Sequence, residues 1–276
     1  MAEQRALEVV DLRHTFNEGT VHEVRALRGV DLVMEPGAFV VVLGFNGSGK
    51  SSLLNAVAGT LIPAQGAVRV YGEDVTHWPE HRRAGLVGRV FQDPLLGTAP
   101  RLTIAENLAL ATQRGHSWPD LRRALTRSRR EAIAARVSEL GMGLEDRLDT
   151  PIGSLSGGQR QALTLLMATI VSPRILLLDE HTAALDPKSA ELVLALTESV
   201  VQKLRLTTLM VTHSMAQAVR LGDRVLMMHR GKVVRDYQGA RKRRLRAEEL
   251  LDHFDELRNE DLLDESAAGM LERMYQ

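Results

Sequence analysis

The chain of 276 residues contains no cysteine, and this absence removes several kinds of chemistry together. Disulfide bonds, cysteine-ligated zinc, iron–sulfur clusters and a thiol nucleophile are all excluded. The chain also lacks an excess of charge, because 35 Lys and Arg residues balance 35 Asp and Glu residues. No overall electrostatic field favours nucleic acid or an anionic membrane as a partner, so any charge-driven binding must be local.

Long apolar runs are missing as well. The longest strongly apolar runs, such as Ala38–Phe45, are far shorter than the ~20 residues that span a bilayer. The first residues, MAEQRALEVVDLRH, lack the basic and apolar regions of a signal peptide. We therefore expect neither a membrane span nor a leader.

The sequence does contain alternating strand and helix patterns. Continuous apolar runs predict four strands: Phe39–Leu43, Ile175–Leu178, Thr207–Val211 and Arg224–Met228. Helical patterns such as 51–59 and 189–204 separate them. This alternation predicts an α/β protein whose ligands bind at the carboxyl ends of a mostly parallel sheet.

Two segments depart from this alternation. The apolar spacing from about Asp93 to Val171 is helical and arginine is abundant there, which predicts a helical subdomain inserted into the core. The N-terminal stretch to about Gly37 and the stretch Gly66–Gly72 alternate as exposed antiparallel strands do.

The composition changes again after Gly239. A basic run, Arg241–Arg246, is followed by an acidic amphipathic segment that ends at Gln276. We therefore divide the chain into a core domain over 1–240 and a C-terminal helical appendage over 241–276.

A phosphate-loop pattern follows the first predicted strand. Residues Gly44–Ser51, GFNGSGKS, stand after an apolar strand and before a helix, where backbone N–H groups and the helix dipole can bind phosphate. Gly47 and Gly49 permit the tight backbone, Lys50 reaches the β and γ oxygens, and Ser51 offers its hydroxyl to Mg²⁺. The alternative is an ordinary strand-to-helix turn, which the flanking strand disfavours.

Two adjacent carboxylates end another predicted strand. Asp179 and Glu180 follow the run Ile175–Leu178, and charge buried there would be costly without a partner. Asp179 can hold Mg²⁺, and Glu180 can orient or deprotonate a water for attack on a γ-phosphate. Alone the pair could be an exposed strand end, but beside a phosphate loop it predicts nucleotide hydrolysis.

The run Leu155–Gln161, LSGGQRQ, resembles the signature of ATP-binding-cassette (ABC) ATPases, and it precedes the Asp179 strand as in that family. Gln92 is similar to the family's Q-loop glutamine, Ala184–Pro187 to its D-loop, and His213 to its switch histidine. The resemblance implies a P-loop NTPase core of the ABC type, with a mostly parallel sheet, an N-terminal antiparallel β subdomain and an inserted α-helical subdomain.

Two positions depart from the family pattern. Phe16 is the candidate for stacking on adenine where the family more often has Tyr, and the ring face needs no hydroxyl for this. His14 or Val24 could line the same pocket. His181 stands where the family commonly has Pro after Asp-Glu; we expect a spectator role, and an effect on the site stays open.

The resemblance also implies a head-to-tail homodimer with two ATP molecules between the chains. Its catalytic residues would be Glu180, His213 and Gln92, with Ser51, Gln92 and Asp179 on Mg²⁺. The implied nucleotide-binding residues are Phe16, Gly44, Asn46, Gly47, Ser48, Gly49, Lys50, Ser51, Ser52, Gln92, Ser156, Gly157, Gly158, Gln159, Asp186 and His213.

Three regions of the chain resemble an importer-type subgroup linked with lipoprotein binding components and with uptake of amino acids, including tryptophan or tyrosine. They are 17–27, 88–94 together with 97–100, and 179–187. This implies an ATPase subunit at the cytoplasmic face of the inner membrane, held by separate permease subunits. Their coupling helix would dock near Phe91–Pro100, and a solute-binding lipoprotein would be an indirect partner.

Two other functions stay open. A soluble ABC ATPase acting on nucleic acid or ribosomes is favoured only by Arg241–Arg246, and such a run is more often a solvated surface or a lipid contact. The residues beyond Gly239 could instead be regulatory, by bracing a dimer or lying near the membrane.

Overall fold

A computed structural model of the protein describes residues 5–115 and 125–259. The strands are β1 (Leu7–Phe16), β2 (Val24–Met34), β3 (Phe39–Gly44), β4 (Gln65–Val70), β5 (Glu73–Asp74), β6 (Val87–Val90), β7 (Ile175–Asp179), β8 (Thr207–Thr212), β9 (Arg224–His229) and β10 (Lys232–Gln238). The helices are α1 (Lys50–Ala58), α2 (Glu80–Arg83), α3 (Ile104–Ala111), α4 (Arg127–Ser138), α5 (Gly157–Thr169), α6 (Pro187–Leu204), α7 (Met215–Arg220), α8 (Gly239–Arg244) and α9, which is described over 247–259.

Six strands form the core sheet in the order β10-β9-β3-β8-β7-β6. All neighbours are parallel except β10, which pairs antiparallel with β9. Every residue of β3 is buried, and alternate residues enter different hydrophobic clusters: Val40 packs in one and Val41 in the other. Burial on both faces explains the continuous apolar sequence of such strands, and the four predicted strands are confirmed.

The core sheet contains a strand that the sequence patterns did not predict. Strand β6 pairs in parallel with β7 at the sheet edge. Its sequence, VGRV, is short and includes a glycine and a charged residue, so it has no continuous apolar run.

The N-terminal part forms a second sheet, as predicted. Its four strands have the order β2-β1-β4-β5, and all pairs are antiparallel. The end of β1 lies opposite the start of β2, since Phe16 pairs with Val24. The fold class predicted from the sequence is confirmed.

The predicted subdomain over 93–171 is represented by helices α3, α4 and α5. Within its described residues there is no strand beyond a single bridge between Thr103 and Pro151. A separate hydrophobic cluster joins the three helices. Thr103 begins α3 with a capping box that includes Glu106.

The C-terminal segment packs on the core sheet. Helix α8 begins before the proposed boundary at 241, and Leu245, Leu250 and Phe254 are buried in the same cluster as β3. Residues 260–276 of the predicted appendage lie outside the described residues. No helix in 5–115 or 125–259 is both long enough and apolar enough to cross a bilayer.

Candidate functional site

The carboxyl ends of the core strands open onto one cavity of about 770 Å³. Because β3, β8 and β7 are neighbours, the segments that follow them meet at this edge of the sheet. The predicted site residues that line the cavity are Phe16, Gly44, Asn46, Gly47, Gly49, Lys50, Ser51, Ser52, Gln92, Asp179, Glu180 and His213. A cavity of about 740 Å³ at the opposite ends of the strands contains none of the predicted residues.

Lys50 forms two hydrogen bonds within the phosphate loop. The Lys50 ammonium donates to the carbonyl oxygens of Gly44 and Phe45, each at 2.8 Å. Burial lowers the pKa of Lys50, and the carboxylates of Glu180 and Asp179 partly oppose that effect. The lysine is therefore held beside the cavity by weak acceptors that phosphate oxygens could replace.

The loop backbone needs glycine and leaves one buried hydroxyl unsatisfied. Gly49 has φ of +100°, and a Cβ there would lie 2.4 Å from the Ala26 carbonyl oxygen. The Ser48 hydroxyl is buried and has no hydrogen-bond partner among the described residues. Such an orphaned polar atom fits a loop built to bind an oxyanion.

Asp179 has a largely buried counter-ion that no sequence pattern predicted. The Arg89 guanidinium donates to the Asp179 carboxylate at 2.9 Å, and these side chains are only 12% and 16% exposed. Arg89 also lies over the Phe91 ring, 4.6 Å from its centroid. It stands on β6 opposite Leu177 of β7, and since β6 was not predicted, nothing in the sequence placed the arginine there.

Glu180 and His213 form the polar wall of the cavity. Glu180 Oε2 lies 3.1 Å from His213 Nδ1, and the glutamate has a left-handed φ of +43°. Its backbone N–H donates to the Val211 carbonyl oxygen at 3.0 Å. Strand β8 thus holds the backbone that aims this carboxylate at the imidazole.

An apolar side of the cavity contains Phe16, Val24 and Ala26. Phe16 is 39% exposed and contacts the His14 ring edge-on at 4.7 Å. Of the two alternatives considered with Phe16, Val24 lines the cavity, whereas His14 lies outside its lining and contacts the Phe16 ring. A planar base could stack on the exposed part of that ring.

The signature residues lie outside this cavity. Ser156 caps α5, where its hydroxyl accepts from the Gln159 N–H at 3.3 Å and the Gln159 side chain accepts from the Ser156 N–H. Ser156 and Gly157 are exposed, while Gly158 is buried. Asp186 caps α6 by accepting from the Ser189 N–H at 3.1 Å, and it does not line the cavity either.

Three cavity residues offer the oxygen ligands that Mg²⁺ prefers. Ser51 provides a hydroxyl, Gln92 an amide oxygen and Asp179 a carboxylate. The donor set fits the predicted ion, because Mg²⁺ is usually bound by one or two carboxylates together with substrate phosphates. The roles of these three residues stay predictions.

His181 follows Glu180 but faces the protein interior. Its Nε2 lies 3.0 Å from the Thr197 hydroxyl on α6, and burial lowers its pKa to about 4. It does not line the cavity. Its position is that of a structural contact beside the site, and the predicted spectator role stays a prediction.

Arg83 is a fully buried residue that no sequence pattern predicted. Its fully buried guanidinium donates to the carbonyl oxygens of Ala56 and Val57, at the end of the helix that begins with Lys50. It also donates to the carbonyl oxygens of Thr76 and Trp78. Its sequence neighbours, His81 and Arg82, are exposed and gave no signal of burial.

Comparisons with known proteins agree with this geometry. A sequence model of the family described as "ABC transporter" matches residues 27–183. The chain is 39% identical over 249 residues to a tyrosine transport ATP-binding protein of Clostridioides difficile, covering 90% of this chain and 98% of the relative. It is 36% identical to an aliphatic sulfonates import ATP-binding protein of Rhodopseudomonas palustris, covering 84% of this chain and 73% of that protein.

A solved structure has the same fold. The dimeric post-hydrolysis state of the ATP-binding cassette MJ0796, bound to ADP and Pi, matches with a TM-score of 0.71 and 27% identity, covering 84% of this chain and 98% of that one.

Proposed function

Because the chain belongs to the ABC transporter family of ATP-binding proteins, we propose that it is the ATP-hydrolysing subunit that drives solute import through separate permease subunits. One observation carries the proposal: the sheet edge brings Lys50, Gln92, Asp179, Glu180 and His213 to a single cavity. These groups include a cation for phosphate, oxygen ligands for a metal and a carboxylate that can act as a base.

Hydrolysis in this cavity would begin when Lys50 exchanges its two carbonyl acceptors for phosphate oxygens. Glu180 then orients a water for in-line attack on the γ-phosphorus and accepts its proton, while the bond to the β-phosphate oxygen breaks. His213 contacts Glu180 and is available to the γ-phosphate. Mg²⁺, held by Ser51, Gln92 and Asp179, would neutralise charge on the β and γ oxygens.

We propose that a second copy of the chain completes each site. The exposed start of α5, Ser156 and Gly157, has backbone N–H groups and a helix dipole suited to an anion, but it lies outside the cavity of its own chain. A head-to-tail pair would bring this helix start to the partner's nucleotide. The similar MJ0796 cassette is dimeric when bound to ADP and Pi, which supports pairing of two chains.

Transport requires a membrane partner, and the segment after Gln92 is suited to bind one. Leu96 is 71% exposed and Leu95 is 42% exposed, and Leu95 is held in a turn by the Asp93 carboxylate. We propose that residues 91–100 receive a permease helix. The chain would then sit at the cytoplasmic face of the inner membrane, with a lipoprotein delivering the solute to the permease.

The name of one relative favours an amino acid as the solute, whereas the other relative described above is a sulfonate import protein. The relative with 39% identity is a tyrosine transport ATP-binding protein, and it covers almost the whole chain. On the basis of that name, an amino acid such as tyrosine is the proposed class of solute. The contacts with the solute would lie on the permease and the binding protein.

The nucleic-acid alternative has less support. Within the basic run 241–246, Lys242 is buried and donates to the Val219 carbonyl oxygen at 2.7 Å. At least this residue anchors α8 to the core instead of facing a polyanion. The run is therefore partly structural.

ATP hydrolysis by the purified chain, with and without its copurified permease, tests the proposal. Glu180→Gln should lower turnover by about 10²- to 10⁴-fold, since the base is lost, while Lys50→Ala should weaken ATP binding. Glu191→Gln, an exposed carboxylate on α6, is the matched control and should retain turnover. Unchanged hydrolysis in Glu180→Gln would refute the assigned role.

A further inference from the structure

Helix α9 reaches the nucleotide cavity from the C-terminal segment. Phe254 of this helix is 6% exposed and belongs to the cavity lining. Its ring packs edge-to-face against the ring of Phe45, with centroids 4.6 Å apart and an interplanar angle of 80°. Phe45 is the second residue of the phosphate loop, so the C-terminal segment contacts that loop directly.

The position of α9 follows from its sequence. Leu250, Phe254 and Leu257 recur at helical spacing, and they pack on one face against the core cluster. Tyr237 Oη lies 2.6 Å from His253 Nδ1, which joins the helix to β10. Leu251, on the other face, is 49% exposed. The helix is thus fixed in rotation, with the Phe254 ring directed at Phe45.

Phe45 connects this contact to the phosphate-binding groups. Its carbonyl oxygen accepts from the Lys50 ammonium at 2.8 Å and from the Ser48 N–H at 3.1 Å. A displaced Phe45 ring would move the peptide that carries this oxygen. Two of the groups that would bind phosphate depend on the orientation of that peptide.

We propose that Phe254 is a positioning residue of the nucleotide site: its ring fixes Phe45 and so holds the phosphate loop and Lys50 ready for ATP. The C-terminal segment is then part of the nucleotide site and not a separate appendage. This inference rests on the proposed function, because it assumes that the cavity binds ATP.

The test is the affinity of the full chain for a fluorescent ATP analogue in the presence of EDTA, where neither Mg²⁺ nor hydrolysis contributes. Because the free chain also contains this ring pair, its loss can lower affinity by no more than the free energy of an edge-to-face contact, which corresponds to about a three- to tenfold change. Phe254→Ala should weaken binding by that factor. Phe254→Leu, which keeps apolar burial, should fold as the wild type does and show a smaller loss in the same direction. Phe254→Tyr should restore wild-type affinity.

Two control variants separate positioning from simple loss of packing. Leu250→Ala removes a fully buried side chain from the same face of α9, and it should lower the melting temperature while affinity stays within about twofold. Leu251→Ala changes the exposed face and should alter neither. The double variant Phe45→Ala, Phe254→Ala should have nearly the same affinity as Phe45→Ala alone, because the contact between the two rings is already absent from the single variant.

The outcomes are distinguishable. A wild-type chain that binds no nucleotide would overturn the proposed function itself. Wild-type binding with unchanged affinity in folded Phe254→Ala and Phe254→Leu would overturn the inference alone. Equal losses in Leu250→Ala and Phe254→Ala would also overturn it, because the effect would then belong to helix docking in general.

Discussion

Acid should destabilise this protein through His181, the buried residue that follows Glu180. The Thr197 hydroxyl donates to the Val193 carbonyl oxygen at 2.8 Å, so it accepts from His181 Nε2 at 3.0 Å. His181 Nδ1 is buried and has no hydrogen-bond partner among the described residues. A proton on Nδ1 would therefore create an unpaired buried charge, which explains why burial lowers the pKa of His181 to about 4.

The size of the effect follows from proton linkage. The unfolded chain binds a proton on His181 near pH 6.5, whereas the folded chain does so only near pH 4, so the stability contributed at neutral pH is lost as the pH falls through this window. With about 1.4 kcal/mol per pKa unit, the wild type should lose about 2.5 kcal/mol of unfolding free energy between pH 7.5 and 4.5 from this group.

Urea unfolding at pH 7.5, 6.0 and 4.5 measures this loss. His181→Gln removes the titrating group. Between pH 7.5 and 4.5 the unfolding free energy of this variant should therefore decrease by a smaller amount than that of the wild type, and the difference should be about 2.5 kcal/mol. Comparing differences between pH values removes any constant packing cost of the substitution. His22→Gln, which changes an exposed loop histidine, should keep the wild-type dependence. Equal acid losses in His181→Gln and the wild type would show that protonation of His181 does not cause the acid sensitivity.

Two further predictions concern one fully buried arginine, Arg83, and one largely buried arginine, Arg89. Arg83→Met removes the donor to four carbonyl oxygens and should lower the unfolding free energy by about 3–5 kcal/mol. Arg82→Met removes an exposed contact with the Trp78 ring and should lower it by less than about 1 kcal/mol. Equal losses for the two variants in urea titrations would contradict the argument from burial. Arg89→Met should lower the unfolding free energy by up to about 3–5 kcal/mol, because it leaves the largely buried Asp179 without its counter-ion. Adding Asp179→Asn to that variant should recover part of the loss, and strictly additive losses would mean that the two side chains do not interact.

The parts of the fold that could be predicted are those whose signal is local. Strand β3 is a continuous apolar run because both of its faces are covered, and Gly44–Ser51 is a contiguous loop between a strand and a helix. Neighbouring strands in a parallel sheet end at the same edge, so the pattern also predicted that Lys50 and Asp179 would meet. Their common cavity follows from the strand order.

The parts that could not be predicted depend on contacts between distant segments. Arg89 pairs with Asp179 only because β6 lies beside β7, and the sequence VGRV has no strand period. The contact between Phe45 and Phe254 joins opposite parts of the chain, and α9 has an amphipathic pattern that many docking surfaces would satisfy. No local sequence pattern shows whether such a residue will contact a distant segment of the chain or solvent.

We expect two copies of the chain to enclose ATP between the phosphate loop of one and the Ser156 end of the other. Light scattering of Glu180→Gln with saturating MgATP measures this pairing, because the variant should retain nucleotide and accumulate the closed pair. We expect the mass to rise from that of one chain, 30.5 kDa, to twice that value. Adding Ser156→Glu, which would place a negative charge against the nucleotide, should return the mass to one chain. A Glu180→Gln chain that binds MgATP and remains a monomer would show that ATP does not join two copies of the chain.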